Sequence, residues 1–162
     1  EVDDVKFATK SFGQSYVLPR PMSYEQWRPI LAKLVSKAAR RLRSAGYTAS
    51  GIHLSLRYGD HTHWHTGHQQ SSSLYTDADL LAAALSLYEL AAPKKNVKKL
   101  AVTCFGLGAD SGQLSGITDL AKTKSLTHAL DSLNNAWGEY TVSYGSFMGS
   151  EGHVRDAIAF GK

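Results

Sequence analysis

The stretch GIHLSLRYGDHTHWHTGHQQ, residues 51–70, determines the predicted fold. In its first half, apolar and polar side chains alternate: Ile52, Leu54, Leu56 and Tyr58 against His53, Ser55 and Arg57. An alternation of period two places the two sets on opposite faces of a strand. Gly59 and Asp60 then supply turn residues. The stretch is therefore predicted to form a β-hairpin with one apolar face and one polar face.

Amphipathic helices are predicted on both sides of this hairpin. Ser23 and Gln26 have the spacing of a capping box and begin a helix that ends at Gly46. Thr76 is the predicted N-cap of a second helix, which ends before Pro93. Apolar residues recur at helical spacing in both segments, so each helix has one face to bury.

Residues 10–18 and 97–107 predict two further strands, the first of which is expected to stop at Pro19. The order β-α-β-β-α-β predicts an α/β (α+β) domain: a four-stranded sheet with two helices on one face and the other face open. Residues 108–124 are expected to be irregular. A shorter third helix is predicted over residues 125–137, with Leu126, Ala129, Leu130, Leu133 and Trp137 on one side.

The composition indicates one soluble globular domain of 162 residues, 43% hydrophobic, with a formal charge of +4 that suits a polyanionic partner. The basic side of the first helix is interpreted as a solvated face, with a phosphate-binding stripe as the alternative; it carries Lys33, Lys37, Arg40, Arg41 and Arg43. The single cysteine, Cys104, is predicted to be buried and inert.

No apolar run approaches the ~20 residues that span a bilayer, and the acidic first residues differ from those of a signal peptide. We therefore expect no membrane contact and a cytoplasmic location. Because the sequence begins with Glu1, it is expected to be part of a longer protein.

A histidine cluster, His53, His61, His63 and His65, is predicted on the hairpin. Imidazole is a common metal ligand, so a metal-dependent small enzyme is one alternative. No cysteine lies nearby, and the chain has no nucleophile elbow, catalytic Cys-His signature or Walker-type glycine loop. We predict surface or phosphate-contacting roles for the histidines, with no catalytic residue, metal or cofactor.

The open sheet face offers amides, hydroxyls and cations, which suit the phosphates that most protein–DNA hydrogen bonds contact. RNA-binding sheets of this topology display paired aromatics, which the expected strands lack. The predicted partner is therefore double-stranded DNA. Its predicted contacts are Lys10, Ser11, Gly13, Gln14, His53, Ser55, Arg57, His63, His65, Thr66 and His68.

Five segments resemble, in order, the C-terminal region of Y-family translesion DNA polymerases: KSFG at 10–13, ARRLRSAG at 39–46, LSLRYGD at 54–60, VKKLAVTCFGL at 97–107 and ALDSLN at 129–134. That region is the little finger, or impB/mucB/samB C-terminal, domain. The resemblance implies a tether at residues 1–9, a little finger domain at 10–108 and a C-terminal extension at 109–162.

The resemblance also implies that the domain grips duplex DNA across its open face. Nucleotidyl transfer with Mg²⁺ would then belong to a palm elsewhere in the parent chain, beside finger and thumb domains. Acidic palm motifs are absent from this sequence, so no polymerase activity is expected of it. Lys10, Ser11, Gly13 and Gln14 match the tether and first-strand contacts of the family, and Arg57 matches its hairpin Arg-Tyr pair.

On the third strand, this sequence has Thr66 and His68 where family members often have arginine. An alternation that buries Trp64 would also bury both residues, so their exposure requires a bulge or a shifted register. Further along, Gln113, Leu114 and Ile117 occupy the place of the family's sliding-clamp peptide. Gly116 replaces an expected leucine there, and an ordinary loop is the alternative. If the peptide does bind, a module that mainly docks a clamp through residues 113–117 is a further alternative function.

Overall fold

A computed structural model describes residues 11–110 and 118–148 of the chain. Seven helices and strands follow one another: β1 (Ser11–Met22), α1 (Tyr24–Ser44), β2 (Tyr47–Tyr58), β3 (His63–Leu74), α2 (Asp77–Ala91), β4 (Val97–Ala109) and α3 (Thr118–Trp137). A 3-10 turn, Gly145–Phe147, comes last. The tether predicted at residues 1–9 lies outside the described residues.

The four strands form one sheet in the order β1-β4-β2-β3, and every neighbouring pair is antiparallel. β4 and β2 are central and β1 and β3 are the edges. The helices α1 and α2 pack on one face of this sheet and bury its apolar side chains. The predicted fold, four strands with two helices on one face, is confirmed.

The core lies between this sheet face and the two helices. Leu54, Leu100 and Val102 of the sheet are fully buried, as is Trp27 of α1. The Trp27 ring makes an edge-on contact with Tyr88 of α2 at a centroid distance of 4.9 Å. Each fully buried aliphatic side chain stabilises the fold by about 1.5–3 kcal/mol. The alternation in β2 and β4 is thus what holds the helices on this face.

Both predicted helix starts are confirmed by their hydrogen bonds. At α2, the Thr76 hydroxyl accepts from the backbone N–H of Asp79 at 3.0 Å, and the Asp79 carboxylate accepts from the N–H of Thr76 at 3.2 Å. At α1, the Gln26 side-chain oxygen accepts from the N–H of Ser23 at 3.2 Å. These bonds satisfy N–H groups that have no partner inside the helix.

The predicted end of the first strand is wrong. β1 continues through Pro19 and Pro21 to Met22, although its pairing with β4 shifts register between Val17 and Met22. Proline has no N–H to donate, which explains the interruption of the ladder. The chain nevertheless stays extended because an edge strand tolerates proline.

The predicted start of the third helix is also wrong, because α3 begins at Thr118 and residues 118–124 are helical. Lys124 in this first part of α3 lies 2.7 Å from the carboxylate of Asp110 and above the ring of Tyr75. Contacts between distant parts of the chain hold this part of the helix, and the local sequence pattern does not show them. Leu126 and Trp137, on the predicted apolar side, are 62% and 77% exposed.

The interpretation of the basic side of α1 as a solvated face is wrong for Arg43, whose side chain is only 5% exposed. Its guanidinium donates to Asp131 of α3 at 2.6 and 2.8 Å, to Asp77 at 2.9 Å and to the carbonyl of Tyr75 at 2.9 Å. Burial opposes the charge, yet the hydrogen bonds and charges of Asp131 and Asp77 raise the pKa of Arg43 above its usual value. This cation joins α1, the start of α2 and α3.

The residues after α3 return to α1. Lys37 and Arg40 both pair with Glu139, so these two cations of α1 are engaged as well. The Asn134 side chain exchanges two hydrogen bonds of 3.0 Å with the backbone of Val142, and Phe147 is 7% exposed. None of the described helices combines the length and apolar character that crossing a membrane requires.

Cys104 is fully buried in the core, and this burial raises the pKa of its thiol to about 12. Since the thiolate is the reactive form, we expect no labelling of the native protein by a thiol reagent at about pH 8. Labelling should begin at the urea concentration that unfolds the chain, as followed by circular dichroism. Rapid labelling of the folded protein would show that Cys104 is accessible.

Removing the Arg43 side chain would leave the buried carboxylate of Asp77 and the partly buried carboxylate of Asp131 without their cation. We expect Arg43→Ala to lower the free energy of unfolding by about 3–5 kcal/mol, as measured by urea denaturation. The matched control is Lys122→Ala, which removes an equal charge from an exposed position on α3 and should change stability by less than about 0.5 kcal/mol. Equal stabilities of the two variants would mean that the Arg43 contacts contribute nothing.

Candidate nucleic-acid interface

We call the sheet face opposite the helices the open face. The register of the strands arranges its residues in a grid. Its four rows, each running across β1, β4, β2 and β3, are Ser11, Phe105, Gly51 and Gln69; Gly13, Thr103, His53 and Gly67; Ser15, Ala101, Ser55 and His65; Val17, Lys99, Arg57 and His63. Successive rows lie about 6.7 Å apart, the length of two residues of strand.

Charge is concentrated in the last of these rows. Arg57 and Lys99 face each other across β2 and β4, both exposed, and His63 is the neighbour of Arg57 on β3. A concavity at this end is lined by Ser55, Arg57, His61, His63, Lys99 and Ala101. None of the grid positions carries a carboxylate. An anion bound here would contact cations and imidazoles, and no carboxylate on the grid would repel it.

The other end of the open face consists mainly of small and uncharged residues. A Cβ at Gly51 would lie 2.4 Å from the Phe105 ring, and one at Gly13 would lie 2.8 Å from the Thr103 hydroxyl. Only glycine fits at both places without displacing a neighbour. Gly51 itself is buried against the Phe105 ring, whereas Gly67 in the neighbouring row is exposed and leaves its backbone open to close approach by a ligand. This end of the sheet suits contact with an extended polymer.

Most of the predicted DNA contacts lie together on the open face. They are Ser11, Gly13, His53, Ser55, Arg57, His63 and His65. Lys10 lies outside the described residues, as do Gln113, Leu114 and Ile117 of the predicted clamp peptide.

The placement of Gln14, Thr66 and His68 on the open face is wrong. Gln14 pairs with buried Val102, and Thr66 and His68 pair with buried residues of β2, so all three lie on the helix side of the sheet. The pairing of β2 with β3 is in continuous register from residue 63 to residue 69, so no bulge turns Thr66 and His68 to the open face. His68 is exposed, but on the helix side of this edge strand. Simple alternation from Trp64 gives the correct side.

Lys99 and Phe105 are residues of the open face that the sequence does not single out. Lys99 belongs to a run of lysines around residue 95 that has the pattern of a turn. The signal that could have found both is the alternation in β4, where Lys99, Thr103 and Phe105 occupy the opposite face from buried Leu100 and Val102. Phe105 is a single aromatic, so the paired aromatics typical of RNA-binding sheets are lacking on this grid.

His61 lies in the hairpin turn and not on the strand face with the other histidines of the predicted cluster. Its φ is 66°, and the N–H of Tyr58 donates to the carbonyl of Thr62 at 2.9 Å across the turn. Asp60 accepts hydrogen bonds from Lys95 at 2.6 Å and from the Thr62 N–H at 3.0 Å. These contacts, with that of Lys95 the largest, hold the pKa of the Asp60 carboxyl well below its usual value.

The other three histidines contact one another or a serine. His53 Nε2 lies 3.2 Å from His65 Nδ1, and His63 Nε2 lies 2.8 Å from the Ser55 hydroxyl. Partial burial, then the neighbouring His65 and His63, lower the pKa of His53 below its usual value. Within the described residues, no three His, Cys, Asp or Glu side chains are arranged to hold a metal ion. The described residues therefore give no support to the alternative of a metal-dependent enzyme that uses this cluster.

Comparison with known proteins identifies the family. The model of the impB/mucB/samB family C-terminal domain matches residues 9–116. DNA polymerase IV 2 of Bacillus subtilis (strain 168) is 26% identical over 93% of this chain and 38% of its own length. DNA polymerase IV of Moorella thermoacetica is 31% identical over 82% of this chain and 34% of its own length. The chain thus spans little more than a third of these curated relatives.

Solved structures share the fold. A Y-family DNA polymerase chimera superposes with a TM-score of 0.51 at 15% identity, covering 62% of this chain and 29% of its own. The little finger domain of PolIV, in a complex with beta-clamp processivity factor, gives 0.50 at 15% identity, covering 66% of this chain and 99% of its own. The family model covers more than half of the sequence, so the chain belongs to the impB/mucB/samB family C-terminal domains, and it shares the fold of the solved little finger domain.

Proposed function

We propose that this chain binds double-stranded DNA through its open face and contacts phosphates instead of reading bases. The observation that carries the proposal is the row of Arg57, Lys99 and His63 on a sheet face whose grid has no carboxylate. A duplex presents phosphates along its whole length, so a cationic sheet face can bind it in any sequence register.

The shape of the open face supports a backbone contact. Side chains that read bases must reach into a groove, usually from a helix or a narrow ribbon. The middle of this face instead carries short residues, among them Gly13, Ser15, Ala101 and Ser55. Their hydroxyls and accessible backbone are suited to phosphate oxygens at the surface of the duplex. We therefore expect affinity with little dependence on base sequence.

We further propose that the chain serves a larger DNA-directed DNA polymerase and has no catalysis of its own. The curated relatives are DNA polymerases IV, and this chain corresponds to about a third of their length. Nucleotidyl transfer, with its Mg²⁺ ions, would then belong to the palm of the longer protein. The little finger would keep the primer-template duplex beside that palm.

Because the proposed contacts are to phosphates, the affinity for duplex DNA should fall steeply with salt. Arg57 and Lys99 should account for most of this dependence. For the double variant Arg57→Gln/Lys99→Gln, we expect affinity for a labelled duplex to fall about tenfold for each contact removed. The slope of log K against log salt should become shallower by about 1.8, because two fewer phosphates are neutralised. Fluorescence anisotropy at several salt concentrations measures both quantities.

The matched control for this prediction is Arg28→Gln/Lys122→Gln, which removes the same charge from exposed positions on α1 and α3. Its affinity and salt slope should stay close to those of the unmodified chain. Equal losses in the two double variants would show that net charge matters and the open face does not. No binding by the unmodified chain at low salt would refute the proposal.

We propose a sliding clamp as a second partner. Two observations support this: the sequence Gln113-Leu114-Ser115-Gly116-Ile117, and the clamp-bound little finger domain among the structural neighbours. If this peptide docks, Leu114→Ala/Ile117→Ala should abolish capture of the chain by an immobilised bacterial clamp, because the apolar anchors are lost. Duplex affinity should be unchanged. Undiminished capture of the double variant would show that the clamp contact lies elsewhere on the chain, and no capture of the unmodified chain would refute the clamp as a partner.

A further inference from the structure

Three imidazoles form a connected ladder on the open face, beside its two fixed cations. The rings of His63 and His65 are nearly parallel, with centroids 5.1 Å apart, and those of His53 and His65 are 5.3 Å apart. One hydrogen bond joins His53 to His65, and another joins His63 to Ser55. We call these three residues the histidine ladder.

The hydrogen bond between His53 and His65 limits the charge that the ladder carries in the free protein. A bond between two ring nitrogens needs one donor and one acceptor, and an accepting nitrogen carries no proton. At most one of these two rings can therefore be an imidazolium while the bond exists. His63 has no such limit, because the Ser55 hydroxyl can either donate or accept.

Two permanent cations and one further imidazole face the ladder, and no grid position carries a carboxylate. β4 contributes Lys99, β2 contributes Arg57 and the hairpin turn contributes His61, which lines the same concavity as His63. The grid positions of β1 are uncharged. The nearest carboxylate in the hairpin turn, that of Asp60, is already bonded to Lys95 and Thr62. Partial burial, then the neighbouring His65 and His63, lower the pKa of His53 in the free protein.

A phosphate backbone on the open face would reverse this balance, because it supplies the missing anionic partner. Resting on the proposed duplex binding, we propose that the histidine ladder takes up protons when DNA phosphates bind, so that the grip of this domain on the duplex tightens as pH falls. The exchange replaces a ring-to-ring hydrogen bond with two imidazolium-to-phosphate contacts. Arg57 and Lys99 supply the part of the affinity that does not depend on pH.

The size of the effect follows from linkage. If the bound phosphate raises the pKa of one imidazole by one unit, the affinity for DNA changes by about tenfold. The higher affinity is reached at a pH where that imidazole is fully protonated, and the lower at a pH where it is neutral. Because the pKa of His53 lies below its ordinary value in the free protein, its part of the gain should develop as pH falls through and below the ordinary histidine pKa of about 6.5. It is lost as pH rises, since the charged form is the one that DNA stabilises.

The test is duplex binding by the whole chain, measured by anisotropy from about pH 8.5 to about pH 5.5 at fixed ionic strength. The unmodified chain should gain at least about tenfold in affinity over this range. The triple variant His53→Gln/His63→Gln/His65→Gln should lose most of that gain while still binding at the highest pH. The control His68→Gln/His128→Gln, which changes a histidine on the other side of β3 and one on α3, should keep it.

Titration of the imidazole Cε1–H resonances, with and without duplex, shows which rings take up protons. Raised pKa values for the ladder histidines in the complex, with His128 unchanged, are the expected result. Binding at high pH with no gain at low pH would overturn this inference and leave the proposed function intact. The inference is overturned in the same way if the triple variant, folded by circular dichroism, keeps the full gain. Absence of binding at every pH would overturn the proposed function and the inference with it.

Discussion

Burial of one sheet face under α1 and α2 is the constraint on which the rest of this molecule depends. Because side chains alternate along a strand, covering Leu54, Leu56 and Val102 with helices necessarily puts Ser55, Arg57 and Thr103 on the uncovered side. A slip of one residue in β2 would exchange the two sets, burying a guanidinium and exposing leucines. The energy that stabilises the core therefore also fixes which groups face a ligand, and no separate interaction is needed to present them.

Much of this arrangement could be predicted from the sequence, because strand alternation and helix capping are local signals. The hairpin, the cap at Thr76 and the order of elements all follow from residues within a few positions of one another. The predictions fail where contacts with residues distant in sequence determine the structure. The basic side of α1 has an ordinary solvated pattern, and only the fold brings Asp77, Asp131 and Glu139 against it. No local pattern contains that information.

The misplaced site residues have a different cause. The family pattern assigns Gln14, Thr66 and His68 to the open face, although alternation from Trp64 places two of them on the other side. The continuous register of β2 with β3 shows that the local physical rule is the better guide. Lys99 is not predicted as a site residue for another reason. It belongs to a cluster of lysines at the start of β4, and this cluster obscures the alternation of the strand. Position within an element decides which face a side chain occupies, whatever its chemistry suggests.

The uneven distribution of charge over the open face gives this surface two electrically separate halves. The row of Arg57 and Lys99 lies three rows from the row of Gly51 and Phe105, a distance of about 20 Å along the strands. At physiological ionic strength the Debye length is about 8 Å, so the field of the cations has decayed before it reaches the glycine end. Substitution of Arg57 or Lys99 should therefore leave the potential at the row of Gly51 and Phe105 unaltered. Evolution can therefore adjust the strength of attraction and the closeness of fit on this single sheet independently.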